Sequence, residues 1–93
     1  MIVGICTVEL HIPEAQSLKG KRQVLKSLTS RLRNRFNIAV AEIDDHDLWQ
    51  KAILGIACVA NESSMVNQTL DQVLNVIQGN PSLQLLRSQI ELL

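Results

Sequence analysis

The sequence predicts a single α+β domain of the ferredoxin-like type, in which two helices cover one face of a four-stranded sheet. Three observations lead to this fold class. The 93 residues match the length of one domain. Four short segments are apolar in alternation or throughout, which is typical of strands, and two longer segments repeat apolar residues at helical spacing. In chain order these segments read β-α-β-β-α-β, so we expect one domain over residues 1–93 with the first and third strands at its centre.

The first half of the chain predicts a strand, a helix and a second strand. Over residues 2–12 every even-numbered position lacks a polar side chain, so this face of the strand should point to the core. Pro13 ends the strand because it cannot donate to a sheet ladder. Ser17 is the expected N-cap of a helix that runs to Phe36 with an apolar stripe along one side. Residues 37–43 alternate weakly and predict a short second strand.

The second half predicts the same order of elements. Residues 52–60 are apolar throughout, as expected for a strand in the middle of a sheet. A second helix is predicted over residues 63–78, because Gly79 suits the C′ position and Pro81 follows shortly after. Residues 83–93 predict the last strand.

Cysteine usage and hydropathy indicate the compartment. Cys6 and Cys58 lie in apolar strand segments without a CxxC motif, which predicts two buried, reduced thiols; a disulfide or redox pair would require their strands to be neighbours. No apolar run approaches the length of a membrane span, and the first residues lack the basic segment and cleavage site of a signal peptide. These features predict a cytoplasmic protein.

Charge is distributed very unevenly along a chain whose formal net charge is zero. Between Ser17 and Phe36 there is no acid. The rest of the chain contains all nine acids but only two basic residues, Lys51 and Arg87. The molecule should therefore be strongly dipolar, which bears on its partners rather than on its fold. The basic residues of the helical segment are Lys19, Lys21, Arg22, Lys26, Arg31, Arg33 and Arg35.

The basic helix is a candidate nucleic-acid-binding surface. At 100° per residue its positive side chains cluster beside the apolar stripe, and lysines next to the free N–H groups of a first turn attract anions. We expect these side chains to contact phosphates of structured RNA. The alternative is a solvated face that the protein's own acids partly neutralise. The predicted contact residues are Lys19, Lys21, Arg22, Lys26 and Arg33.

Sequence-specific recognition of single-stranded RNA is not expected. Ferredoxin-like RNA-recognition domains stack bases on aromatic residues of the sheet. This chain has no Tyr, its one Phe ends a helix, and Trp49 lies near a hairpin. Contacts to the RNA backbone and to its shape are the mode that remains.

This chain lacks the residues on which other functions of ferredoxin-like domains depend. The first loop has neither the paired cysteines of a heavy-metal domain nor the Gly-rich turn and Arg of a phosphate cradle. The run Asp44-Asp45-His46-Asp47 is either a polar hairpin loop or, less in keeping with ligand spacing, a hard-metal site. Neither histidine has a local nucleophile-and-base signature. We therefore expect a non-enzymatic protein without metal or cofactor.

A homodimer is predicted from the sheet face opposite the helices. Val3, Ile5 and Thr7 should lie beside a third strand that is apolar on both faces, and a bare apolar patch of this kind is unusual on a monomer. Trp49 is either a lid over the end of the core or an anchor of an interface.

Several motifs in order resemble a known family. They are Met1-Ile-Val-Gly-Ile-Cys-Thr-Val-Glu-Leu-His-Ile-Pro13, the basic segment Ser17–Asn37, Val40-Ala-Glu42, and Asp47-Leu-Trp-Gln-Lys-Ala52 before Leu54-Gly55. Together, over residues 1–76, they resemble the YlxP-like family of small bacterial proteins of unknown function. One departure is Gly20, where relatives more often have a Glu that completes a capping box with Ser17.

The resemblance implies a ferredoxin-like fold, which agrees with the pattern above. Genes of that family often lie beside those for transcription-termination, translation-initiation and ribosome-maturation factors, which implies a link to RNA or the ribosome. No catalytic residues are established for it, so none is implied here. The predicted function is a cytoplasmic binding protein that contacts structured RNA or the ribosome through its first helix. The alternatives are a homo-oligomeric interaction module whose basic helix binds an acidic protein, and a small-molecule enzyme or sensor.

Overall fold

The computed structural model describes residues 1–93 and has the predicted order of elements. Its four strands form one antiparallel sheet in the order β2-β3-β1-β4, so the first and third strands are central as predicted. This is a ferredoxin-like α+β fold. No helix is long and apolar enough to cross a membrane. The elements are β1 (Ile2–His11), α1 (Leu18–Arg35), β2 (Ala39–Asp44), β3 (Lys51–Ala60), α2 (Ser63–Gln78) and β4 (Gln84–Leu92).

The helix ends follow local chemistry. Ser17 caps α1 as predicted, because its Oγ accepts a hydrogen bond of 3.0 Å from the Gly20 N–H. The helix ends at Arg35, one residue earlier than expected, and Phe36 closes it with extended backbone. Gly79 ends α2 in right-handed backbone (φ −79°), so this position does not use the left-handed conformation that favours glycine at C′.

The core lies between the sheet and the two helices. The even-numbered residues of β1 face it as predicted, and those of β3 do the same. Leu25, Leu28 and Leu32 of α1 pack onto this face, together with four side chains of α2. The buried residues of α2 are Val66, Leu70, Val73 and Ile77. This packing covers one face of the sheet and leaves the other without a layer.

Two glycines have opposite roles, which makes them a matched test of the packing. A Cβ added at Gly4 would lie 2.2 Å from Cγ1 of Val66, so α2 sits directly on the backbone of β1. At Gly20 the nearest atom would be Oγ of Ser17 at 3.4 Å, an ordinary contact.

We therefore expect Gly4→Ala and Gly20→Ala to change stability in opposite directions. Gly4→Ala should lower the free energy of unfolding by about 1–3 kcal/mol because the branched Val66 cannot move aside. Gly20→Ala should raise it by up to about 1 kcal/mol because alanine is the better helix former. Urea unfolding followed by circular dichroism measures both, and a stable Gly4→Ala protein would contradict the packing described.

The two cysteines are free, buried thiols on neighbouring strands. Gly4, not Cys6, lies opposite Cys58, so the thiols are not a directly facing pair. Burial raises the pKa of the Cys6 thiol above its usual value, and the charges of Asp71 and Cys58 raise it further. Burial likewise raises the pKa of Cys58.

Both thiols should be unreactive while the protein is folded. The thiolate is the reactive form, and a raised pKa together with burial keeps it scarce at neutral pH. We expect Ellman's reagent to titrate no thiol in the native protein and both thiols in urea. Rapid labelling of the native protein would show that the strands β1 and β3 are not covered as described.

Candidate nucleic-acid interface

The structure removes Lys21 from the predicted RNA-binding residues. Its side chain is fully buried, whereas the prediction required an exposed ammonium group. Lys21 lies four and seven residues before Leu25 and Leu28, and this spacing places it within the apolar stripe of α1. Its burial corrects the prediction, which had counted it with the solvent-facing cations.

The Lys21 ammonium holds the β2–β3 hairpin against α1. Its Nζ donates hydrogen bonds to the carbonyl oxygens of Asp45 (2.6 Å), Leu48 (2.6 Å) and Lys51 (2.9 Å). Oε2 of Glu42 lies 2.9 Å from the same nitrogen. The three carbonyls match the three ammonium protons, so Glu42 contributes its opposite charge rather than a further hydrogen bond. A buried cation is tolerated only with such complete pairing.

The hairpin carries further charges around this contact. Asp45 adopts left-handed backbone (φ 62°), and its N–H donates to Oδ1 of Asp44 at 2.8 Å. Nζ of Lys51 lies 3.0 Å from Oε1 of Glu9 and 3.9 Å from Oδ2 of Asp45. The hydrogen bond and charge of Glu9 raise the pKa of Lys51. The acidic run is thus a hairpin loop, and no three metal-ligating side chains of the protein converge there or elsewhere.

Lys21→Met should destabilise the protein strongly, and Lys19→Met provides the matched control. Methionine keeps the apolar stem but leaves three carbonyls without a donor and the half-buried Glu42 carboxylate without its cation. Loss of one partner of a buried ion pair is typically worth about 3–5 kcal/mol. Lys19 is exposed, so the same substitution there should change the free energy of unfolding by about 0.5 kcal/mol or less. Equal effects in urea unfolding would contradict the structural role of Lys21.

The other four predicted contact residues form an exposed row along one flank of α1. Lys19, Arg22, Lys26 and Arg33 are all exposed, and their spacing of three, four and seven residues places them on one side of the helix. This row, here called the cationic row, adjoins the edge strand β2: Nη2 of Arg33 donates a 2.7 Å hydrogen bond to the Val40 carbonyl. That bond holds the carboxyl-terminal end of the row in place.

No acid of the protein pairs with the cationic row. The three ion pairs of the structure all involve Lys21 or Lys51. The structure thus shows no direct ion pair on this face, and the alternative of a solvated face remains open beside RNA binding. On the opposite flank, Arg31 and Arg35 are exposed too, and the Arg35 guanidinium lies 5.6 Å from the centre of the Phe36 ring.

The edge of β2 is occupied by side chains. Besides Arg33 on Val40, Nε2 of His46 bonds the Glu42 carbonyl at 3.1 Å. Val40 and Glu42 are alternate residues, which in an antiparallel ladder direct their backbone groups to the same side. Both carbonyls are therefore already bonded, which protects this edge against pairing with another strand. Sequence reasoning considered His46 as part of the acidic run, as a loop residue or a metal ligand, and did not predict this contact.

The predicted interface residues lie outside the helix face. Val3, Ile5 and Thr7 are on the uncovered face of β1, as expected. Trp49 is 55% exposed, so it is not a lid over the core. It lines an open depression of about 480 Å³ with the exposed Leu48 and Leu86.

Comparison with known proteins supplies the family. Residues 3–90 match the family described as "Protein of unknown function (DUF503)". The chain belongs to this DUF503 family. A relative from Bacillus subtilis (strain 168), "Uncharacterized protein YlxP", is 36% identical over 83 residues, which cover 89% of this chain and 90% of that protein. The resemblance noted from the motifs is thus confirmed.

The fold is also found in a solved structure of low sequence identity. The "De novo designed protein Foldit4" aligns with all of this chain and 94% of its own, with a TM-score of 0.52 and 12% identity. At this identity the likeness concerns the fold alone.

Proposed function

We propose that this DUF503 protein is a non-enzymatic binding protein that contacts structured RNA, of the ribosome or its precursors, through the cationic row of α1. The single observation that carries the proposal is that four exposed cations on one helix flank have no carboxylate partner. Cations without a carboxylate partner in the chain are free to pair with an external polyanion. A cytoplasmic location is part of the proposal.

The row fits contacts to an RNA backbone. Lys19 and Arg33 are fourteen residues apart, which on an α-helix corresponds to about 21 Å of axial rise. A line of cations of that length suits several successive phosphates. The sheet offers no aromatic side chains on which bases could stack, so binding should depend on charge and shape rather than on sequence.

An acidic protein is the competing partner for the same residues. The hydrogen bond of Arg33 to Val40 fixes one guanidinium at the end of the row, and fixed cations can serve either kind of polyanion. RNA is favoured by the length of the row, because phosphates continue along a strand over such a distance whereas carboxylates of a protein surface need not.

The test is the salt dependence of binding to fragments of small-subunit ribosomal RNA. Four phosphate contacts predict a slope of log K against log salt of roughly −3 for single-stranded regions. Arg22→Glu/Lys26→Glu should weaken binding at low salt. It should also make the slope shallower, at roughly −1.5 or closer to zero, because each lost contact removes about 0.7. Fluorescence anisotropy at several salt concentrations measures both quantities.

A control variant separates the row from charge in general. Arg31→Glu/Arg35→Glu makes the same change in net charge on the same helix, but on the opposite flank. It should keep most of the affinity and the slope. Equal losses for the two double variants would contradict a specific role of the row. No binding of any fragment at low salt would overturn the proposal and favour an acidic protein partner.

A further inference from the structure

The uncovered face of the sheet has an apolar half and a polar half. Its polar half lies toward β4 and the β2–β3 hairpin and contains Glu9, Arg87, Gln89 and Glu91, of which Glu91 lies opposite Ile5. Its apolar half spans β1, β2 and β3 and contains no charged side chain. This half, here called the apolar sector, consists of Val3, Ile5, Ala39, Ala41, Ile43, Ile53, Gly55, Ala57 and Val59.

The apolar sector has both a hollow and ridges. Small residues of β2 and β3 line a shallow groove of about 350 Å³. Ile43 stands over Gly55, since a Cβ there would lie 3.0 Å from its Cγ2. Ile43 and Val59 are 53% and 51% exposed, which is unusual for large aliphatic side chains on adjacent strands of one face.

We propose that the apolar sector pairs with the same sector of a second copy of this chain, as a two-fold sheet-on-sheet dimer. A two-fold interface requires one patch to be complementary to itself. A sector that carries a hollow of small residues beside protruding aliphatic ones meets this requirement, because each copy offers what the other lacks. The absence of charge from the sector removes the like-charge repulsion that self-pairing would otherwise bring.

The area of the face is that of a small interface with the apolar sector at its centre. At about 4.8 Å between strands and about 3.3 Å per residue, four strands of six to ten residues give a face of roughly 550 Å² in projection, and the apolar sector takes about half of it. The accessible surface of its side chains exceeds this projection. The sector alone is smaller than the roughly 800 Å² that each partner buries in a standard interface, so the polar half of the face would form the rim around this apolar centre.

Pairing through the β2 edge or through α1 is less favourable. Strand addition at the β2 edge would have to displace Arg33 and His46 from the Val40 and Glu42 carbonyls. Pairing through α1 would bring two uncompensated cationic rows together. Sheet-on-sheet pairing avoids both, and it leaves the two α1 helices on the outer sides of the dimer. The proposal does not depend on RNA binding, and the two can fail separately.

The first test is the mass in solution. We expect a mass twice the 10.4 kDa of the chain by sedimentation equilibrium. Val59→Lys and Ala57→Lys should each give the monomer with unchanged circular dichroism, because they place a charge in the sector without touching the core. Met65→Lys is the matched control: Met65 is 52% exposed but lies on α2, so this variant should remain a dimer.

The second test is the geometry. Both native thiols are buried, so Ser30→Cys on the exposed side of α1 provides the one accessible labelling site. With sheets packed about 10 Å apart and a helix layer on each outer side, spin labels at this site should lie at least about 30 Å apart.

Three results would overturn the proposal. One is a monomeric native protein at about 100 µM, where even a weak dimer forms. Another is a Val59→Lys protein and an Ala57→Lys protein that both remain dimeric. The third is a label distance below about 20 Å, which would place the two α1 helices in contact.

Discussion

The buried ammonium of Lys21 is the interaction on which the arrangement of this domain depends most. It joins the first turn of α1 to the β2–β3 hairpin through three backbone carbonyls and Glu42. The hairpin has other contacts, from Gln50 to the Pro13 and Ala15 carbonyls and from Lys51 to Glu9, but the Lys21 ammonium alone bonds three of its carbonyls at once. The charge is costly to bury, but it is satisfied completely, which makes the contact specific as well as strong.

Because of this contact, Lys21 and the cationic row of α1 have different roles. Lys21 is used within the fold, whereas the cationic row has no carboxylate partner in the chain. The helix layer thus presents positive charge outward, and the opposite face of the sheet presents the apolar sector. The two proposed functions, RNA contact and self-association, therefore use opposite sides of one thin domain and do not compete for surface.

The fold could be predicted almost completely from the sequence, and the site only in part. Local patterns within single segments predicted three features: the core-facing even-numbered residues of β1, the cap at Ser17 and the apolar run of β3. The burial of Lys21 had a local signal too, since it lies in line with Leu25 and Leu28 on the helix. The prediction grouped Lys21 with the other cations by its charge and did not consider which side of the helix it lies on. The acceptors of Lys21 and the position of His46 on the edge of β2 depend on tertiary contacts between distant segments, which no periodicity encodes.

The most direct measurement of the central claim is an NMR titration of the ¹⁵N-labelled protein with a structured ribosomal RNA fragment. The account predicts that the amide signals of Arg22, Lys26 and Arg33 shift, together with the side-chain signals of the two arginines. It also predicts a slowly exchanging ammonium signal of Lys21 that stays in place, because that group is sealed inside the fold. Shifts confined to the sheet, or a Lys21 ammonium that exchanges freely and responds to RNA, would contradict it.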